Sequence, residues 1–93
     1  MIEITYDDDS VEISGHTRVD ICAAVSSIVY TTINALLNDD ENNIIFEDDE
    51  TYMRIKLKNS EYLPKLLFNN MICMFEQLAE QEKGYIKIKK ASE

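Results

Sequence analysis

At the start of the chain Ile2, Ile4 and Tyr6 alternate with Glu3 and Thr5, and Val11 and Ile13 soon alternate with Glu12 and Ser14. A period of two sends successive side chains to opposite faces, so each stretch reads as a half-buried strand. The polar run Asp7-Asp8-Asp9-Ser10 between them is a solvated hairpin connection. A calcium loop would need spaced ligands and a glycine at the bend. Gly15 then punctuates the second strand, at a turn or a close backbone approach.

The period changes next. Ile21, Val25, Ile28, Val29, Ile33 and Leu36 recur at three- and four-residue spacing, the stripe of a helix whose apolar face presses on a sheet. Asp20 is its expected N-cap, which makes Cys22 its second residue. The acidic stretch 39–43 ends it. Residues 43–47 and 51–57 read as a hairpin joined by Asp48-Asp49-Glu50, with Tyr52, Arg54 and Lys56 on the wet face and Thr51 on the buried one. A second helix runs from about 61 to 82, with Pro64 tolerable only in its first turn. Its broad stripe is Leu63, Leu66, Leu67, Met71, Met74, Phe75 and Leu78; Cys73 falls within it as a core or dimer contact. Gly84 stops this helix, and 85–89 alternate as a last strand before a polar tail. The order β-β-α-β-β-α-β predicts an α+β fold, two helices packed on a mostly antiparallel sheet, as a single domain over residues 1–93.

Composition narrows the chemistry. An apolar share of 45% and a charged share of 29% are those of a globular chain. No apolar run is expected to span a membrane and the start is no signal peptide, so the cytoplasm is the expected location. Two cysteines without secretory features should stay reduced. With one histidine they lack the paired spacing of a metal site, and neither metal nor cofactor is expected. A net charge of −9 would repel a phosphate backbone, which argues against nucleic acid as a partner. It suits a basic protein partner, although acidity also simply keeps proteins soluble.

The candidate chemistry lies where the first helix begins. The single histidine, His16, stands six positions before Cys22. A thiol at a helix start faces unpaired N–H groups and the positive end of the macrodipole, both of which favour thiolate. An imidazole nearby can take the thiol proton and return it. The alternative is plain: a Cys followed by Ala-Ala-Val also suits a core, and a lone loop histidine is commonly solvated. Ser26, four residues after Cys22, shares its flank and can set a hydroxyl beside the thiol or merely keep that flank small.

Gly15-His16, then Asp20-Ile21-Cys22-Ala23-Ala24-Val25-Ser26, resemble the signature of the ribosomal-processing cysteine proteases, the Prp family, and the likeness extends over nearly the whole chain. The resemblance implies a cysteine endopeptidase with His16 as base and Cys22 as nucleophile, with Gly15, Asp20, Ala23 and Ser26 in secondary or oxyanion-supporting roles. It also implies a protein or peptide substrate: the N-terminal extension of a large-subunit ribosomal protein or, for phage relatives, a capsid protein. A homodimer is the implied assembly. The chain departs from the family pattern in its short His-to-Cys segment, residues 17–21, in an acid two rather than three positions before the cysteine, and in Thr17 where the family has Ala. A lid is hard to build from five residues. The alternative is therefore a catalytically weak or inactive dimer that binds a peptide or capsid segment. An acidic interaction protein, suggested by charge alone, is a more distant third.

Overall fold

The computed structural model describes residues 1–91. Its elements are β1 (Ile2–Tyr6), β2 (Ser10–Gly15), α1 (Val19–Asp39), β3 (Ile44–Asp49), β4 (Tyr52–Leu57), α2 (Tyr62–Gln81) and β5 (Ile86–Lys90). The order is the one the hydrophobic pattern predicts, and the class is α+β. The strands form one sheet in the order β3-β4-β2-β1-β5. Three pairings are antiparallel, and β1–β5 alone is parallel, with Ile2 opposite Ile86 and Tyr6 opposite Lys90. A parallel pairing needs a long crossover, and everything between β1 and β5 supplies it.

Alternation does the layering. Ile2, Ile4, Val11, Ile13, Ile55 and Leu57 point to one face and are buried there with Val25, Val29, Leu36, Phe68, Met71 and Phe75 of the two helices. Among the described residues the opposite face carries no helix. There Arg54 lies between Glu12 (3.6 Å) and Glu47 (3.8 Å); such exposed pairs add little stability. Closure of the core, at about 1.5–3 kcal/mol for each large apolar side chain buried, is what holds the layers together.

Four sequence expectations need correction. The core face of α2 is Pro64, Phe68, Met71, Ile72 and Phe75, while Leu63, Leu66 and Met74 are exposed. Met71 and Phe75 are in the core as the stripe predicts, and Leu67 and Leu78 pack against it; the helix is apolar over so much of its circumference that spacing alone draws the stripe too far to one side. Cys73 is exposed as a consequence. Thr51, expected inside, is exposed because it lies in the turn before β4 rather than in the strand. Finally, α1 is long and apolar enough to cross a membrane, with a mean hydropathy of 1.5, contrary to the expectation that no run reaches that length. In this fold its stripe (Ile21, Val25, Val29, Ile33, Leu36) is buried in the core instead.

Candidate active site

The site grows from the end of β2. Gly15 has φ +97°, a conformation side chains rarely adopt. Its N–H donates to the Thr51 carbonyl at 3.2 Å, and a Cβ here would lie 2.2 Å from the Met1 carbonyl oxygen. Only glycine fits. The chain can therefore leave the sheet sharply and hold His16 at the molecule's edge, where the His16 carbonyl accepts a bond from the Met1 nitrogen at 2.8 Å.

From there the chain enters α1 sooner than Asp20 would allow as a cap. Arg18 occupies the N-cap position, with φ −53° and ψ 144° and without a side-chain cap bond. Asp20 is in the first turn, where its charge complements the helix dipole. Its carboxylate accepts from the Arg18 guanidinium and from the Ile21 N–H at 3.0 Å. Hydrogen bonding to Arg18 holds its pKa below the usual carboxylate value. Cys22 is consequently the fourth helical residue, not the second. The Ile21 and Cys22 N–H groups both donate to the Arg18 carbonyl, at 3.1 and 3.0 Å. That corrects the expectation that N–H groups at this helix start stand unpaired around the thiol. The thiol itself, half-buried, donates to the Thr17 carbonyl at 3.5 Å.

His16, Cys22 and Ser26 line one cleft, together with Gly15. Ile2, Ile13 and Val25 contribute apolar wall, and Glu50, Thr51, Tyr52 and Met53 close the far side. Its volume is about 130 Å³, on the order of the space that takes a benzene-sized group. Asp20 is turned toward Arg18 and Ala23 is exposed; neither lines the cleft. The four residues from the β3–β4 hairpin were missed in the sequence because nothing local marks them. They arrive through the pairing of β2 with β4, which sets Ser14 opposite Tyr52. Among the described residues no cluster of His, Cys, Asp or Glu could hold a metal ion.

The arrangement can carry nucleophilic chemistry: a thiol, an imidazole and a hydroxyl line one small, partly apolar cleft. Comparison with known proteins agrees in kind. The family model described as cysteine protease Prp matches residues 1–87. No curated protein matches the sequence. Among solved structures, the essential ribosomal processing protease Prp from S. aureus, in complex with a covalently linked product peptide, superposes with a TM-score of 0.88 at 16% identity, covering 97% of this chain and 99% of that one. The same protease in complex with a substrate peptide gives 0.82 at 16% identity, over 96% of each chain. SMU.848 from Streptococcus mutans gives 0.85 at 27% identity, covering 97% of this chain and 93% of its own. With the family model spanning residues 1–87 of the 93, into the start of β5, the chain belongs to the cysteine protease Prp family.

Proposed function

We propose that this chain, as one domain over residues 1–93, cleaves a short N-terminal extension from a large-subunit ribosomal protein, with Cys22 as nucleophile and His16 as general base. The observation that carries the reading is the shared cleft of these two side chains. Support for the substrate comes from the S. aureus relative, described as a ribosomal processing protease and solved with peptide bound; a phage capsid protein is the alternative target. The acidic surface, at −9, would speed the approach of a basic protein.

In the reaction, the His16 imidazole takes the Cys22 proton and the thiolate attacks the scissile carbonyl carbon. The Ser26 hydroxyl, one turn along the same face, can donate to the developing oxyanion. The C–N bond breaks as the imidazolium protonates the amine, leaving a thioester. Water, deprotonated by His16, then attacks the thioester; the carboxylate product leaves and the thiol is restored. The work is done in the cytoplasm, without a cofactor, by a homodimer. Exposed Leu63, Leu66 and Met74, beside a groove of about 210 Å³ between α1 and α2, are the apolar surface that such a dimer would cover.

The test is mass spectrometry of a large-subunit ribosomal protein bearing its extension, incubated with the protein at micromolar concentration. Cleavage is expected, with Cys22→Ala and His16→Ala each lowering the rate by roughly a thousandfold or more. Light scattering on the same sample reads the assembly, and a monomer would remove the dimer. A second reading, a binding module that holds the extension without cutting it, is favoured by the short loop and by a thiol bonded to a carbonyl. Binding of the extension with no cleavage by the intact protein would select it.

A further inference from the structure

The loop between His16 and Cys22 has only residues 17–21, and one side chain ties it down. The Arg18 guanidinium forks onto Asp20, Nε to Oδ1 at 3.1 Å and Nη2 to Oδ2 at 2.7 Å. Its Cζ lies 4.8 Å from the centroid of the Tyr85 ring. Tyr85 stands just before β5, and its carbonyl accepts the Ile2 N–H at 2.9 Å. The loop is thus fastened to the β1–β5 corner of the sheet. Meanwhile the Arg18 carbonyl receives the Ile21 and Cys22 N–H groups, and the Thr17 carbonyl receives the thiol.

An ion pair whose side chains are 49% and 67% exposed contributes little to global stability. Its effect is local, and of two kinds. A planar fork on a carboxylate, stacked on an aromatic face, fixes the backbone at 17 and 18 more tightly than a lysine could. It also pairs the carboxylate that stands two residues before the thiol, whose free charge would favour thiol over thiolate. The other charged or titratable groups on the cleft around Cys22 are His16 from the loop and Glu50 and Tyr52 from the hairpin. Neither hairpin residue can replace Arg18, since Glu50 is an acid and Tyr52 a neutral phenol.

We propose that Arg18 is a positioning residue for the Cys22–His16 pair: through Asp20 and Tyr85 it holds the Thr17 and Arg18 carbonyls against the first turn of α1 and pairs the Asp20 charge that stands in the same turn, two residues before the thiol. The assignment rests on Cys22 being the nucleophile, but its first readout does not require catalysis.

That readout is iodoacetamide labelling of Cys22 against pH, resolved by mass spectrometry, with exposed Cys73 as internal reference. In Arg18→Ala the Cys22 profile should move to higher pH, slowing labelling at neutral pH roughly threefold to tenfold. Arg18→Ala with Asp20→Asn should restore the profile, because no unpaired carboxylate remains. In peptide cleavage both variants should lose kcat more than they raise KM, and Arg18→Lys should recover the pH profile without recovering kcat. An Arg18→Ala profile and kcat both within twofold of the parent overturn the proposal, as does an equal change at Cys73, which would mean general loosening. Absence of cleavage by the parent protein would sink the protease reading and leave the labelling result to judge the clamp.

Discussion

The two ends of α1 sit at opposite ends of the same sheet and are finished in opposite ways. At the far end a buried side chain closes the structure. Asn43, fully buried, donates from Nδ2 to the Leu36 carbonyl at 2.7 Å and to Asp39 at 3.0 Å, and its Oδ1 accepts from Asn59 at 2.9 Å. Its N–H donates to the Asp40 carbonyl and its own carbonyl accepts from Lys58. Every polar group of one residue is used to end a helix and start a strand. At the near end the N-cap residue makes no side-chain cap bond, His16 is exposed, and the constraint comes from a glycine and a surface clamp.

The difference separates two demands on one helix. A buried polar group must be fully paired or it costs stability, so a saturated amide makes a rigid stop. A thiol that is to attack a substrate must keep its approach path free of such saturation, and Cys22 carries only the one 3.5 Å bond to the Thr17 carbonyl. The near end therefore gives up capping energy, commonly about 1 kcal/mol, and recovers order through backbone geometry at Gly15 and through Arg18.

Asn43→Ala should have the largest effect. It deletes three side-chain hydrogen bonds and leaves the Leu36 carbonyl, inside the structure, without that donor. A loss of about 2–4 kcal/mol is expected, read as a shift in the denaturation midpoint. Cys22 labelling below the transition should stay as it was. If labelling changes as much as stability does, the two ends are not independent and the comparison fails.

Gly15→Ala comes next and strikes the other end. The methyl group meets backbone rather than a flexible side chain, and φ must leave the left-handed region. A loss of about 1–3 kcal/mol is expected. Unlike the Asn43 variant, this one should also lower peptide cleavage by the protein still folded, because His16 follows directly. Unchanged kcat in folded Gly15→Ala would mean that His16 is positioned by something else.

How much of this was legible before the structure depends on whether the cause is local. The alternation of Ile2 and Ile4, or of Val11 and Ile13, is written in adjacent residues, and so is the α1 stripe. Both elements follow. The buried face of α2 is not, because Leu63, Leu66 and Met74 are as apolar as Phe68 and Ile72; only packing against the sheet chooses between them. The N-cap was misplaced for a related reason. Asp20 is the better capping residue by type, but a guanidinium two residues away already holds its carboxylate. In the site, His16, Cys22, Gly15 and Ser26 come from one continuous stretch and meet at one cleft. The wall from Glu50 to Met53 depends on strand pairing across some forty residues of sequence, which no local pattern encodes.

The smallest effect sharpens the contrast by titration. At the end of the sheet away from His16, Asp7 closes the β1–β2 turn, its Oδ1 accepting the Asp9 N–H at 3.0 Å, the Ser10 N–H at 2.8 Å and the Ser10 hydroxyl at 2.9 Å. The Asp9 N–H first, with help from Ser10 and against some desolvation, lowers its pKa to about 2. A carboxylate whose folded pKa lies below its unfolded value of about 3.9 adds stability that is fully present above pH 4. That stability is lost as pH falls through the folded value near 2. Because the turn is solvated, the full shift overstates the gain, and about 0.5–1 kcal/mol is expected at neutral pH. Asp7→Asn should remove that increment and flatten the stability profile between pH 4 and 2, measured by denaturation across that range. Cys22 labelling at neutral pH should not change, since the turn and the thiol lie at opposite ends of the sheet. A variant that kept the acid dependence of the parent would show that other carboxylates carry it, and that the far end is held by Asn43 without the turn.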